Sequence, residues 1–472
     1  SPNTNKPLHL GHLRNNFLGW SIAEILKLQG NDVVKTCIVN DRGIHICKSM
    51  IAWQLFAGGA TPESTNMKGD HFVGDYYVKY NDAYKGEIET LIAGGMSKEI
   101  AEQEAPIQKA AQAMLLKWEQ GDADTMALWK RMNEWVYAGF DVTYKKIGSD
   151  FFKTYYESNT YLLGKDLVDQ GLTKKVFYQK EDSSVWIDLT SEGLDEKIVR
   201  RKDGTSVYIT QDIGLAELKQ KEFNTDASIY VVGDEQNYHF KVLKLICQKL
   251  GLPAADGIYH LSYGMVELPT GKMKSREGTV VDADDLVAAM IDIAKQKTEE
   301  LGKVKDFTAT ELETLYHTIG LGALKFFLLR VDPKKKMIFN PEESIDFHGF
   351  TGPFIQYTHA RIKSILRKAN TEDAAVISAP STPLLPLEKE VTIQLEQFTS
   401  MLEEAAAAFD PSKVAIFIFN LAKTFNALYA EHSITNAETD EKKILRLQLA
   451  TLTAQTLKTG MAVLGIPVPE KM

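Results

Sequence analysis

The stretch Ser1-Pro-Asn-Thr-Asn-Lys-Pro-Leu-His-Leu-Gly-His-Leu-Arg-Asn-Asn16 opens the chain and carries most of the information about its fold. It places Lys6, His9, Gly11 and His12 directly before apolar residues at helical spacing, which are Leu13, Phe17, Leu18, Ile22, Ile25 and Leu26. This pattern predicts a loop that delivers polar groups to a helix N-terminus, where unpaired backbone N–H groups favour anions. We interpret it as a candidate triphosphate site. The alternative is a helix start with a solvated lysine and two capping histidines.

Length and composition set the class of protein. A chain of 472 residues is long for one core, so two or three domains are expected. The sequence contains no run of eighteen apolar residues and no secretory pattern, so we expect no membrane segment and a cytoplasmic location. The cysteines Cys37, Cys47 and Cys247 form no CxxC pair, which fits a reducing compartment. Because the chain begins inside a motif, we expect an upstream element to be missing.

The formal charge of −9 is unfavourable for a nucleic-acid ligand, but binding depends on the charge that faces the phosphates. Three local basic tracks could supply that charge. They are Arg200–Lys202, Lys334–Lys336, and the group Arg361, Lys363, Arg367 and Lys368. The alternative for each track is an ordinary solvated face.

The first two thirds of the chain alternate strands with helices. A β-branched run from Asp32 to Asn40 predicts a buried strand, and the polar sequence Asn40-Asp-Arg-Gly43 follows at its end. Further strands are predicted at 206–210, 228–233 and 260–266, with helices at 211–221 and 240–250, the latter ending at Gly251. The alternation predicts an α/β fold with a Rossmann-type parallel sheet, which binds nucleotides at the carboxyl ends of its strands.

An inserted subdomain interrupts this sheet at about 65–190. The segment contains the motif Asp70-His-Phe-Val-Gly-Asp-Tyr-Tyr77 and a long helical region that Pro106 interrupts or restarts. Apolar residues at helical spacing, such as Trp118 and Met132, are interpreted as core. The motif at 70–77 has no chemical role that the sequence reveals.

A second cationic loop, Glu267-Leu-Pro-Thr-Gly-Lys-Met-Lys-Ser-Arg-Glu-Gly278, follows the last predicted strand. Its concentration of Lys, Arg, Ser and Gly suits the stabilisation of a polyphosphate leaving group. After about residue 350 the strand pattern ends and helices are predicted at 354–367, 387–409, 414–432 and 441–464, with a proline-rich linker at 379–386. The C-terminal part is therefore expected to be an all-α helical bundle.

The tetrad His9-Leu-Gly-His12 resembles the first signature of class I aminoacyl-tRNA synthetases. Its wider context, and the motif at 70–77, resemble the arginyl-tRNA synthetases. The loop at 267–278 resembles the second class I signature, but Ser275 stands where that signature has its second lysine. In this family the lysine ahead of the first motif, here Lys6, is thought to supply the missing charge.

The resemblance implies a domain organisation and a reaction. Residues 1–345 would form the catalytic domain, with a segment at about 313–345 that contacts the tRNA stem, and residues 346–472 would bind the anticodon. The family's N-terminal domain, which grips the tRNA elbow, is expected to be absent from this chain. The implied reaction joins ATP and arginine to give arginyl-adenylate and pyrophosphate, and then transfers arginine to tRNA. The implied partners are tRNA, L-arginine and ATP with Mg²⁺, without a metal site on the protein, and we expect a monomer.

The resemblance also assigns site residues. The groups expected to stabilise the phosphates during catalysis are Lys6, His9, His12, Lys272 and Lys274. The residues expected to bind ATP are His9, Gly11, His12, Gly264, Met265, Val266, Lys272 and Ser275. The residues expected to bind arginine are Asn3, Tyr208, Asp212 and Gln236.

Chemistry supports the last group, because a planar guanidinium is best met by a carboxylate that accepts two hydrogen bonds. Asp212 could do this, although an acid at a helix N-terminus is also favourable without a ligand. Two other functions remain open at this point. One is a nucleotidyltransferase of the same superfamily, and the other is a non-catalytic tRNA-binding or regulatory relative.

Overall fold

A computed structural model describes residues 2–253, 255–267, 269, 281–300, 302, 307–370 and 382–472. The helices are α1 Leu10–Leu28, α2 Ile44–Phe56, α3 Pro62–Thr65, α4 Gly69–Ala93, α5 Lys98–Glu104, α6 Pro106–Glu119, α7 Ala123–Ile147, α8 Glu157–Thr160, α9 Lys165–Thr173, α10 Tyr208–Phe223, α11 Asn237–Leu250, α12 Ala283–Glu300, α13 Ala309–Leu329, α14 Pro341–Ser344, α15 Gly352–Lys368, α16 Pro386–Ala408, α17 Pro411–Glu431 and α18 Asp440–Val463. The strands are β1 Thr36–Val39, β2 Lys153–Tyr156, β3 Tyr178–Gln179, β4 Val185–Ile187, β5 Lys197–Arg200, β6 Ser228–Gly233, β7 Ile258–Tyr263, β8 Val266–Glu267 and β9 Met337–Ile338.

The central layer consists of parallel pairs, as the Rossmann-type prediction requires. Strand β1 pairs with β2, β6 with β7 and β8 with β9, and each pair is parallel. Helix α1 packs against the second pair, and Asn15 donates a hydrogen bond to the carbonyl of Val231 in β6. At the end of β1, Asn3 forms a parallel bridge with Asn40. The chain thus has an α/β part, which confirms the predicted fold class.

Strand β2 is a feature that the sequence analysis did not predict. It lies inside the range assigned to the insertion, yet Lys153 and Tyr156 pair with the first and last residues of β1. The helices between β1 and β2, from α2 to α7, pack chiefly on one another. The restart at Pro106 is confirmed, since α5 ends at Glu104 and α6 begins at Pro106.

The predicted strand at 206–210 is wrong. Only Ser206 makes a bridge, to Arg200, and helix α10 begins at Tyr208. A turn precedes Ser206, with Gly204 at a φ of +81°. The β-branched run becomes helical because Ile209 and Ile213, four residues apart, are both buried in the same core.

Two hydrophobic cores organise the molecule. The smaller contains residues from β4, β5, α9, α10 and α11, such as Val199, Ile213 and Leu243. The larger runs without interruption from α1 through the insertion and α13 into the C-terminal helices, and includes Leu13, Phe326 and Leu457. The catalytic part and the helical bundle are therefore packed as one body around α1 and α13.

The C-terminal bundle matches the prediction closely in its helix boundaries. Its helices α16 and α18 are joined by a buried ion network, in which Glu388 accepts hydrogen bonds from Lys442 at 2.5 Å and from Arg446 at 2.8 Å. Residues 379–381 of the predicted linker at 379–386 lie outside the described residues. Within the part of the chain that the structure describes, none of the helices combines the length and apolar character needed to cross a bilayer.

Candidate active site

The two signature histidines form the N-terminal cap of α1. His9 is the N-cap residue, and its Nδ1 accepts a hydrogen bond from the Gly11 amide at 3.1 Å. His12 Nδ1 accepts from the His9 amide, also at 3.1 Å, and the ring centroids lie 3.9 Å apart. Because each Nδ1 accepts a hydrogen bond, a neutral ring carries its proton on Nε2. Both capping and ligand binding are thus possible, since capping occupies one nitrogen of each ring and leaves the other as a donor.

The electrostatics of the site keep both histidines neutral. Burial, with a smaller contribution from the positive charge of Lys6, lowers the pKa of His9 to about 4. Burial also holds the pKa of His12 well below its usual value, and His9 and Lys6 add to the effect. At neutral pH the histidines therefore act as hydrogen-bond donors, and Lys6 is the cation of this cluster.

The segment predicted to bind ATP lies beside the same helix and is fixed by Arg14. This buried guanidinium donates from Nη1 to the Gly264 carbonyl at 2.6 Å, and from Nη2 to the carbonyls of Pro333 at 3.2 Å and Lys335 at 2.9 Å. Gly264 is required here, because a Cβ at this position would lie 2.6 Å from the Lys335 backbone. The sequence analysis assigned no role to Arg14, because its burial among the mostly apolar buried residues of α1 is apparent only in three dimensions.

The two residues that follow Gly264 face different environments. Val266 is buried and pairs with Met337 of β9, whereas Met265 is 41% exposed. Met265 is therefore the side chain of this segment that is accessible to a planar ligand. Lys272, Lys274 and Ser275 lie outside the described residues, so their predicted roles stay predictions.

Of the residues predicted to bind arginine, Asn3 lies beside the end of β1, whereas Tyr208 and Asp212 lie at the start of α10 and Gln236 in the turn after β6. Asp212 Oδ2 lies 2.7 Å from His239 Nε2. Tyr208 is the first residue of α10 and is 75% exposed, and Gln236 is exposed in the short 3₁₀ turn before α11. The arrangement offers an accessible carboxylate with polar neighbours, which is suited to a cationic ligand.

A second carboxylate contributes to the same region and was missed by the sequence analysis. Glu157 follows β2 directly, and its pKa is raised by burial and by the negative charges of Asp41 and Asp212, against the opposing charge of Arg42. Helix α8, which begins at Glu157, packs against α10, which carries Asp212. Because β2 itself was not predicted, no local pattern indicated that Glu157 stands at a strand end facing the site.

A cluster on the far side of the first signature has the spacing of a metal site. Ligand atoms of Asp70, His71 and Asp284 lie within 4.8 Å of one another. However, Lys68 Nζ lies 3.0 Å from Asp70 Oδ2 and 2.6 Å from Asp284 Oδ2. An ammonium group thus already supplies the cation that these carboxylates need, and we assign no metal to the cluster.

Comparison with known proteins agrees with this geometry. The family model described as "tRNA synthetases class I (R), catalytic domain" matches residues 1–340, and the model of the "DALR anticodon binding domain" matches residues 355–472. The arginine–tRNA ligase of Flavobacterium psychrophilum is 57% identical over 473 residues, covering 100% of this chain and 78% of that protein. The arginine–tRNA ligase of Amoebophilus asiaticus is 54% identical over 475 residues, covering 100% of this chain and 80% of that protein.

Solved structures show the same fold. The Thermus thermophilus arginyl-tRNA synthetase superposes with a TM-score of 0.82 at 24% identity, covering 100% of this chain and 81% of that one. The Plasmodium falciparum arginyl-tRNA synthetase gives a TM-score of 0.77 at 19% identity, with 100% and 76% coverage.

A nucleotide-binding parallel sheet, a histidine-capped helix and a C-terminal anticodon-binding bundle define a class I aminoacyl-tRNA synthetase. Within that class the chain belongs to the arginine family, whose ATP-dependent ligases join arginine to tRNA. The anticodon-binding match at 355–472 removes the reason to prefer a nucleotidyltransferase, and the extent of identity to arginine–tRNA ligases disfavours a non-catalytic relative.

Proposed function

We propose that His9, His12 and Lys6 stabilise the phosphates of ATP while the arginine carboxylate attacks the α-phosphate. The observation that carries this proposal is the neutral histidine pair at the N-terminus of α1, beside the charge of Lys6. The carboxylate is already the nucleophile, so no general base is needed, and alignment and charge stabilisation suffice. Each histidine contributes an Nε2–H donor, and Lys6 contributes a charge.

His9 and His12 are proposed to act as neutral hydrogen-bond donors, whereas Lys6 is proposed to supply the positive charge. A neutral imidazole can donate to a phosphate oxygen without first losing solvation as an ion, and its protonation state does not change over the neutral range. The Gly11 amide lies at the same helix end, where the backbone favours an anion. Gly264, Met265 and Val266 are proposed to bind the adenine base, and Lys272, Lys274 and Ser275 to contact the leaving pyrophosphate. Mg²⁺ is proposed to arrive with ATP.

For arginine, we propose that Asp212 accepts the guanidinium, with Tyr208 and Gln236 as orienting partners and Glu157 as a second nearby carboxylate. The permanent positive charge of the guanidinium compensates the repulsion between the carboxylates of Asp212 and Glu157. The planar arrangement of its N–H donors selects arginine over lysine, whose ammonium is a point charge. Asn3, held beside the end of β1, is proposed to contact the amino-acid end of the substrate. In this structure His239 Nε2 contacts the Asp212 carboxylate. Arginine would therefore have to displace His239 or share the carboxylate with it.

We further propose that the chain acts as a cytoplasmic monomer, with its catalytic domain at 1–345 and its tRNA anticodon contacts on 346–472. The segment at about 313–345 is proposed to contact the tRNA stem. This organisation is supported by the family matches and by the exposure of Lys334, Lys335 and Lys336 beside the catalytic domain.

Arginine-dependent ATP–pyrophosphate exchange, measured with tRNA present, tests the catalytic assignment. His9→Asn keeps a side-chain cap for α1 but shortens the donor, and should lower the exchange rate by about 10²- to 10³-fold, as the loss of a preorganised donor does. Normal exchange by a folded His9→Asn protein would remove His9 from the phosphate site.

A further inference from the structure

The motif at 70–77, to which the sequence assigns no role, lies against the first signature in the structure. Helix α4 crosses the chain so closely that a Cβ at Gly74 would lie 2.9 Å from Pro7 Cδ and 3.5 Å from Lys6 Cα. The glycine therefore allows α4 to touch the backbone that carries Lys6. Gly139 of α7 gives a similar close approach to Asp70, so this end of α4 is held from both sides.

The start of α12 lies on the other side of the signature and is hydrogen-bonded to it. The Ala283 amide donates to the Leu8 carbonyl at 2.9 Å, and the Leu10 amide donates to the Val281 carbonyl at 3.4 Å. His9 and Asp282 form an antiparallel bridge between these two bonds. The backbone on each side of His9 is thus fixed to residues 281–283.

Polar side chains at the start of α4 and in α7 hold the start of α12 in place. Asp284 accepts from Lys68 Nζ at 2.6 Å and from Thr143 Oγ1 at 3.1 Å, and lies 3.2 Å from His71 Nε2. Asp282 caps α12 with Oδ1, which accepts from the Asp284 amide at 2.7 Å. Its buried Oδ2 has no hydrogen-bond donor among the described residues and lies 3.4 Å from His71 Nε2.

We propose that Lys68, His71 and Asp284 are positioning residues that hold the His9 segment in the geometry needed for ATP. The inference rests on the proposed role of His9. The chain of contacts runs from α4 through the carboxylates of Asp284 and Asp282 to the backbone at His9, and directly from Gly74 to Lys6. An error of about 1 Å in such a segment is enough to reduce a rate about 10²-fold.

The charge on His71 makes this support depend on pH. The groups that face His71 are Lys68 and Asp70 from its own helix region, and Asp282 and Asp284 from the start of α12. The hydrogen bond to Asp284 and the nearby carboxylates raise the pKa of His71, against burial and the charge of Lys68. The imidazolium therefore attracts both carboxylates below this raised pKa, and the attraction weakens as the pH increases through it, because the neutral ring keeps at most an Nε2–H hydrogen bond.

The experiment compares the wild-type protein with His71→Gln, which keeps a hydrogen-bonding side chain but never carries a charge. The measured quantity is kcat/KM for ATP in arginine-dependent exchange with tRNA, between pH 6 and 9. The ratio of wild type to variant should be about 10- to 100-fold at pH 6 and should decrease towards one at pH 9. Taking the ratio removes the common ionisations of the substrates.

Asp284→Asn tests the same contact from the other side and should give a similar loss at pH 6. Asp82→Asn, an exposed change on the same helix, is the matched control and should behave as wild type. A ratio near one at pH 6, or a loss that does not vary with pH in a protein of unchanged melting temperature, would overturn the proposal. His9→Asn separates a failure of this proposal from a failure of the proposed phosphate site. If His9→Asn also leaves exchange normal, the phosphate site itself has failed.

Discussion

At the residue scale, Asp212 is the position on which amino-acid specificity depends. Asp212→Asn keeps the shape and removes the charge, which costs about 2–5 kcal/mol for buried charged pairs. Because the Asp212 side chain is 40% exposed, we expect a loss of arginine binding near the lower limit, about 2 kcal/mol. Tyr208→Phe deletes one neutral hydrogen bond at a 75% exposed residue and should cost no more than about 1 kcal/mol.

Calorimetry with arginine checks both values, and ATP affinity should change in neither variant. Tyr208→Phe serves as the matched control for a change in the pocket that leaves its charge intact. Unchanged arginine affinity in a folded Asp212→Asn protein would exclude Asp212 from the site.

Lys6 is expected to replace the charge that is missing at Ser275. Lys6→Ala should reduce exchange activity and leave arginine affinity nearly unchanged, because its interaction strengthens as charge accumulates on the phosphates. Adding Ser275→Lys to that variant should recover part of the rate. A Lys6→Ala protein with normal exchange, or a double variant no faster than the single one, would contradict this compensation.

The lowered pKa of His9 predicts a dependence of stability on pH. Between pH 6.5 and about 4 the unfolded chain binds a proton at His9 that the folded chain does not, so the free energy of unfolding should decrease as the pH falls through this range. The contribution is at most about 3 kcal/mol. Denaturant titrations of wild type and His9→Asn should show a weaker pH dependence in the variant, and identical slopes would be the contrary result.

Sequence and structure agree best where local chemistry is sufficient. The signature at 6–12 predicted the helix start that the structure shows, because capping residues, a glycine and an apolar helical pattern follow one another directly; the anion site predicted there stays a prediction. His239 and Arg14 were not anticipated, since each obtains its importance from a contact with a residue distant in the chain: Asp212 for the first and the Gly264 carbonyl for the second. Glu157 was not anticipated because it directly follows β2, which was not predicted.

At the scale of elements, the same distinction separates the helices from the short strands. The bundle helices were predicted to within a few residues because each has a long amphipathic pattern. Strand β2 has only four residues and follows a 25-residue helix, so periodicity could not reveal it. The run at 206–210 has strand-like composition, but burial of Ile209 and Ile213 on one face favoured a helix instead.

We expect the ion network between α16 and α18 to be the main polar interaction that stabilises the packing of these two helices. Glu388→Ala should destabilise the protein by about 3–5 kcal/mol, because it leaves Lys442 buried without its carboxylate partner. Arg446 retains Glu438, at 2.7 Å. Chemical denaturation measures the loss, and the exposed Glu390→Ala on the same helix should change stability by less than about 0.5 kcal/mol. Equal effects would refute a special role for the network.

At the scale of the whole molecule, the larger hydrophobic core is shared by the α/β part and the C-terminal bundle, so removing the bundle also exposes part of that core. Gln356 of α15 donates to the Thr318 carbonyl of α13 at 3.1 Å, and Lys325 of α13 donates to the Gly465 carbonyl at 2.8 Å. Deleting everything after about residue 350 should therefore both abolish tRNA charging and lower the stability of the catalytic part. A truncated protein that aminoacylates at the full-length rate would contradict the domain assignment.

The basic tracks provide a gentler test of tRNA binding. Lys334, Lys335 and Lys336 are exposed, whereas Lys363 lies 3.4 Å from Glu470 in an ion pair. Changing the three exposed lysines to glutamine should weaken tRNA binding and reduce the slope of log K against log salt by about one for each phosphate that is no longer neutralised. Lys363→Gln should reduce this salt-dependence slope less, because Lys363 is already paired with Glu470. Equal slopes for the triple variant and wild type would show that this track is an ordinary solvated face.

Arg14 holds the Gly264 carbonyl of the ATP segment and the Lys335 carbonyl of this basic track with one guanidinium. We therefore expect displacement of one segment to alter the other, so that the binding of ATP and the binding of tRNA are thermodynamically linked. If tRNA tightens ATP binding by some factor, ATP must tighten tRNA binding by the same factor. Arg14→Lys, whose single ammonium cannot span the carbonyls, should bring both factors towards one together, as paired titrations of each ligand in the presence and absence of the other would measure.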